Sequence, residues 1–254
     1  QGTLSALSGA TLALSATNWS NAVTGTISGT GATLNFNGAW SNAGTVTLSS
    51  STLNLGGTFS TAGIGTINRT SSTLNVTGTL NNTGATLTVG TGTALGILNL
   101  VSGTIQGGTV QETAGTGLVF NTTGTLNGVT LRGVLDLSGT NNTARILNGL
   151  TLLTEAGGLG GVANVTGANA TLVFDSTSTA SFNNATINLG SATTAGNLNI
   201  DGAATLTLGA GVTVQGTGNI GNQSFVGGTA TLINQGTISA NLSGKTLTFS
   251  GNGA

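Results

Sequence analysis

Proline, cysteine, methionine, histidine and tyrosine are all absent from this 254-residue chain, and charged residues make up only 4% of it. Each absence excludes something. Without proline, every residue keeps a backbone N–H to donate, as a continuous ladder of strands requires. Without cysteine there are no disulfides and no thiolate metal ligands, although compartment is left open because many secreted repeat proteins manage without cysteine. With no histidine, cysteine or tyrosine and a single lysine, the Ser-His-Asp and Cys-His nucleophile systems and the usual zinc sites are removed. The four basic residues, Arg69, Arg132, Arg145 and Lys245, are scattered, so no cluster is available to hold phosphate and no nucleic-acid partner is expected. No apolar run approaches the roughly 18 residues that cross a bilayer, so no membrane span is expected.

What remains is mostly Gly, Thr, Ser, Asn, Ala and Leu, a composition that at first suggests a disordered chain. Hydrophobic residues at 37%, low charge and zero proline argue the opposite, because disordered chains combine low hydrophobicity with high charge and abundant proline. The pattern settles the matter. Thr-Leu-Asn-Phe at Thr33, Thr-Leu-Asn-Leu at Thr52, Thr-Leu-Asn-Val at Thr73 and Ile-Leu-Asn-Leu at Ile97 repeat one strand signature at intervals of 19 to 24 residues. Apolar residues alternate with polar ones, as in a strand with one face buried. A strand of four residues cannot stand alone, and at a regular interval it is buried only by stacking each copy on the next.

Three apolar columns can be followed. The first marker column runs Leu12, Leu34, Leu53, Leu74, Leu98, Leu118, Leu135, Leu152, Leu172 and Leu198; a second runs Trp19, Trp40, Phe59, Leu80, Ile105 and Leu126; a third runs Ile27, Val46, Ile67, Leu87, Val110 and Val129. Three inward columns imply three short faces. The expected fold is therefore all-β: a parallel β-helix, or β-solenoid, with about 20 residues per coil, a roughly triangular cross-section and about twelve coils, some 55 to 60 Å long at ~4.8 Å per stacked strand. Pairs such as Asn37-Gly38, Gly56-Gly57 and Asn127-Gly128 supply corners that tolerate positive φ. One domain, residues 1–254, is expected, a fragment or processed part of a longer repeat protein, since the chain starts at Gln1 with neither Met nor a charged leader.

The Gly-Thr-Leu/Ile/Val-x-x-x-Gly and Thr-Leu-x-Leu recurrences, carried by residues 44–55, 78–89 and 124–137 and diffusely by nearly the whole chain, resemble the passenger and stalk repeats of bacterial type V secreted proteins. These are the filamentous-haemagglutinin-like adhesins and autotransporter-associated strand repeats. The resemblance implies a right-handed parallel β-helix and an extracellular, cell-surface role in a bacterium. The secretion-signal domain and membrane barrel of that family are not visible here.

Candidate chemistry is sparse. Asn35, Asn54, Asn75 and Asn99 lie between inward residues and should point outward as a hydrogen-bonded amide ladder, with Asp136 and Asn199 in the same place in later coils. Glu155, Asp175 and Asp201 each follow a strand signature. Glu155 and Asp175 are 20 residues apart, and on adjacent coils they would form a Ca²⁺ site or an acid and base pair, against the simpler outcome of solvated corner carboxylates. Glu112 and Arg132 share that spacing and suggest an exposed ion pair. Trp19 and Trp40 offer a sugar-stacking platform or, since Phe59, Leu80 and Ile105 continue their column, a core stack. Eleven Asn-x-Ser/Thr sequons are present, and near-zero net charge suggests stability insensitive to pH and salt.

The expected function is a non-enzymatic rigid stalk or filament subunit in adhesion, a surface layer or biofilm matrix, with no cofactor. It would continue into a longer chain or associate end to end, with surface glycans as further partners. A carbohydrate-active or carbohydrate-binding β-helix is the second expectation, dependent on Asp136, Glu155, Asp175 and Arg132 meeting in one groove. An ice-binding solenoid is the third, from Thr-x-Thr triplets at Thr45, Thr86, Thr205 and Thr246.

Overall fold

The first coil of the computed structural model, which describes residues 2–175 and 180–251, places three strands at Thr3–Ala6, Thr11–Leu14 and Asn18–Asn21. The second coil repeats them at Thr26–Thr30, Thr33–Phe36 and Ala39–Asn42, and every strand pair so formed is parallel. Register follows chemistry. Thr11, Thr33, Thr52 and Thr73 stand opposite one another at the head of the second face, and Leu12, Leu34, Leu53 and Leu74 follow them inward. Leu34, Leu53 and Leu74 are completely buried, so each Leu-on-Leu step removes a whole side chain from water, about 1.5–3 kcal/mol apiece.

Corners are tight. Gly38 and Gly57 take the same corner in successive coils with φ of 74° and 61°, and a Cβ on Gly57 would lie 1.9 Å from the Gly38 carbonyl oxygen. Only glycine permits two backbones to stack so closely there. One four-residue helix, Thr61–Ile64, interrupts the β pattern, capped by the Ser60 hydroxyl accepting from Gly63 N–H at 3.1 Å.

The third face is the spine of the molecule. It runs unbroken from Asn18–Asn21 to Leu247–Phe249, eleven strands in one column, giving about ten turns. That is fewer than the twelve expected, because late coils carry longer turns: Ile146 stands opposite Phe174 and Phe174 opposite Ile200, against 21 residues from Trp19 to Trp40. From residue 123 onward corners also flatten. Thr123–Arg132 and Thr143–Leu153 each serve two faces as one strand, with a register shift between Asn127 and Val129.

These changes move the marker column. Leu135 is followed by Ala163, Ile187, Val214 and Ile238, not by Leu152, Leu172 and Leu198. Leu152 stands opposite Leu131 around the next corner, and Leu172 and Leu198 belong to the third face. In the third apolar column, Val110 is followed by Leu131 rather than Val129.

The other two faces are interrupted. The first face stops at Thr66–Thr70; the next strand on that side, Thr86–Gly90, pairs only onward with Thr109–Thr113. The second face stops at Leu118–Phe120, and a new sheet begins at Val134–Asp136.

Candidate functional site

The breaks after Thr66–Thr70 and after Leu118–Phe120 are each filled by one charged side chain at an inward position. In the first face, Arg69 stands opposite Leu48, which stands opposite Gly29, so a guanidinium occupies the place of a core leucine. Stacking Thr86–Gly90 directly over it would seal an unpaired charge in the core, a cost far above that of one lost strand pairing. The guanidinium instead leaves through the break, donating to the carbonyl oxygens of Ser72 and Ile97 at 3.1 Å each and lying against Gly96. Burial pushes its pKa below the ordinary value. Beside it runs a groove of about 580 Å³, with Thr47, Thr66, Asn68 and Thr70 on one side and Thr93, Ala94 and Leu95 on the other.

In the second face the filler is Glu112, 0% exposed. Its Oε1 accepts from Gly117 and Leu118 N–H at 3.1 and 2.8 Å, and its Oε2 accepts from Val134 N–H at 2.8 Å, so one carboxylate ties together the strands on either side of the gap. Burial raises its pKa, with the three N–H bonds opposing and Asp136 adding a further upward push. The exposed Glu112–Arg132 ion pair is therefore not formed: Glu112 points into the rod, whereas Arg132, in register with Gln111, points out of it. Both fillers were missed in the sequence, though the signal was there. Ile67-x-Arg69 and Val110-x-Glu112 put the charge two residues after an inward apolar residue, hence on the same side.

The outer surface carries the amide ladder. Asn54 donates to Asn35 at 2.7 Å, Asn75 to Asn54 at 2.8 Å and Asn99 to Asn75 at 3.1 Å. A second ladder links Asn188 to Asn164, Gln215 to Asn188 and Asn241 to Gln215. Asp136 stands in register with Asn164, but its Oδ1 turns back to Ser138 N–H. Asn199 lies instead on the third face, opposite Val173, where it is buried and donates to the Ser224 hydroxyl.

The remaining carboxylates are dispersed. Asp136 belongs to the rebuilt second face, Glu155 follows the long strand Thr143–Leu153, and Asp175 follows the third-face strand Thr171–Phe174. Glu155 is exposed and accepts from Ala114 N–H at 3.2 Å. Asp175 is buried and paired with Arg145, whose Nε lies 2.6 Å from Oδ2. Among the described residues no three carboxylates gather. Asp201, also buried, accepts from the N–H groups of Ser224, Phe225 and Val226, fastening residues 222–228 across the third face, and Phe225 lies 5.0 Å from the Arg145 guanidinium.

The tryptophans form a core stack. Trp19 and Trp40 are parallel at 5.7 Å, Trp40 and Phe59 at 4.5 Å, and Phe36 meets both tryptophans edge-on. Trp40 is buried, its indole N–H donating to the Gly56 carbonyl, while Trp19 in the first coil is only half-buried. Comparison with family models, with curated proteins and with solved structures returns no match to this chain.

Proposed function

We propose that this protein is a non-enzymatic structural rod of the bacterial cell surface or extracellular matrix, a rigid stalk or filament element lengthened by adding coils. The observation that carries this reading is the unbroken third face, eleven strands in one column whose end strands, Asn18–Asn21 and Leu247–Phe249, each pair on one side only among the described residues. At those ends the core positions are half-covered. Leu12, Leu14 and Trp19 in the first coil and Leu232, Ile238 and Leu247 in the last are only partly buried, and Phe249 is 59% exposed, whereas Leu34 and Leu53 in the same column as Leu12 are fully buried. A further coil, from a second copy or from a longer chain, would bury them and pair the edges. The resemblance to adhesin repeats supports the cellular setting. Neutral amide and hydroxyl rows on the outside suit a rod that must stay hydrated without large fields of charge.

Sedimentation velocity over a concentration series tests the reading. Mass should grow with concentration, and Leu12→Lys with Leu14→Lys, which places two cations on the open core of the first coil, should hold the protein as single rods. A single unchanging mass at every concentration would remove self-stacking from the account.

A further inference from the structure

The break at Thr66–Thr70 leaves a strand edge open in the side of the rod, beside a groove. Ser50 N–H donates to the Thr70 carbonyl, and parallel pairing alternates residue by residue, so Thr66, Asn68 and Thr70 bond toward Thr45–Ser49. The N–H and C=O groups of Ile67 and Arg69 then face the break, and Thr86–Gly90 does not pair with them. The groove volume of about 580 Å³ is that of a ligand cleft, Leu48, Ile67 and Leu95 supply apolar lining, and no carboxylate lines it. Arg69 is the sole cation of residues 1–131. Two of its five N–H donors are engaged by Ser72 and Ile97, which leaves three for an anion.

We propose that this edge is a strand-addition site for an extended acidic peptide, whose backbone pairs with Ile67 and Arg69 and whose carboxylate is held by the Arg69 guanidinium. Backbone pairing supplies affinity and alternate side chains supply selectivity. In parallel register an apolar side chain meets Ile67 and an acidic one, two residues on, meets Arg69. The pattern is thus apolar-x-acidic, the pattern that Val110 and Glu112 show in Thr109–Thr113, the strand beyond Thr86–Gly90 on that side. The paired backbone groups select a peptide over a saccharide, which has no alternating N–H and C=O. This inference concerns the flank of a single rod and stands whether or not rods stack at their ends.

The probe is the acetylated, amidated pentapeptide Thr-Val-Gln-Glu-Thr, followed by isothermal titration and by amide exchange of Ile67 and Arg69. Binding should slow exchange at both amides. Replacing the peptide's Glu with Lys should weaken binding at least tenfold, as should Arg69→Gln in a protein whose circular dichroism is unchanged. N-methylation at the peptide's Gln, which bonds toward the rod, should abolish binding, whereas N-methylation at its Val, which faces away, should be tolerated. Equal binding of the Glu and Lys peptides, tolerance of the methyl group at Gln, or no binding at all would overturn the proposal. So would an oligogalacturonate that binds Arg69-dependently where the peptide does not, since the groove would then be a saccharide site.

Discussion

Oε2 of Glu112 accepts the backbone N–H of Val134 at 2.8 Å, bridging the gap at which the second face stops and restarts. A side chain there does what a strand partner does elsewhere. Because three N–H groups converge on this one carboxylate, Glu112→Ala leaves buried donors without an acceptor and should cost on the order of 3 kcal/mol, read from urea unfolding.

The same residue argues for a pH-dependent contribution to stability, where the low net charge suggests none. Its folded pKa is raised by burial, so the folded state holds this proton more tightly than the unfolded chain does. The stability it contributes is fully present below the ordinary carboxylate value of 4.5 and is lost as pH rises through the raised folded value. Tm of the natural protein should fall across that window relative to Glu112→Gln, which cannot titrate. Parallel Tm profiles for the two proteins would contradict the assignment.

The amide ladder should be cooperative. Asn75 both donates to Asn54 and accepts from Asn99, whereas Asn54→Ala and Asn75→Ala share one bond. Asn75→Ala should cost about 1–2 kcal/mol, and the double variant should cost less than the sum by about 0.5–1.5 kcal/mol, the worth of the shared bond. Strict additivity in a denaturant cycle would mean that the ladder is only adjacency.

Asp201 should govern one strap and not the rod. Asp201→Ala removes the acceptor of three N–H groups in residues 224–226. Limited proteolysis should then cut within 222–228 under conditions in which the natural protein survives, while the third-face amides of Leu80 and Ile105 keep their exchange protection. Loss of protection at those distant amides would make Asp201 a general stability residue.

Glu155 and Asp175 follow strands on different faces, and Asp175 is already engaged by Arg145. Tm should therefore be the same in calcium chloride and in EDTA. A calcium-dependent rise that Asp175→Asn abolishes would restore the metal site.

The repeat was legible wherever coil length stayed constant. Leu34, Leu53, Leu74 and Leu98, the Asn column beside them and the Trp19–Trp40–Phe59 stack all lie in coils of similar length, where counting residues is equivalent to counting turns. Leu152 and Leu172 misled because they keep the motif but not the face: after the shift at Asn127 and Val129, the same Leu-x-Leu spacing falls around a corner. Glu112 and Asp201 were harder for a different reason. Their partners are backbone N–H groups, which every residue carries, so nothing in the neighbouring letters marks Val134 or Phe225 as a donor. Arg145 and Asp175, 30 residues apart, could be joined only once the long turn between their strands was known.

The most direct test of the rod is cryo electron microscopy of the purified protein over a concentration series. The account predicts filaments one solenoid wide with a ~4.8 Å axial repeat, in which the half-covered ends of one copy stack on the next. Discrete rods at every concentration, with no end-to-end contacts, would contradict it.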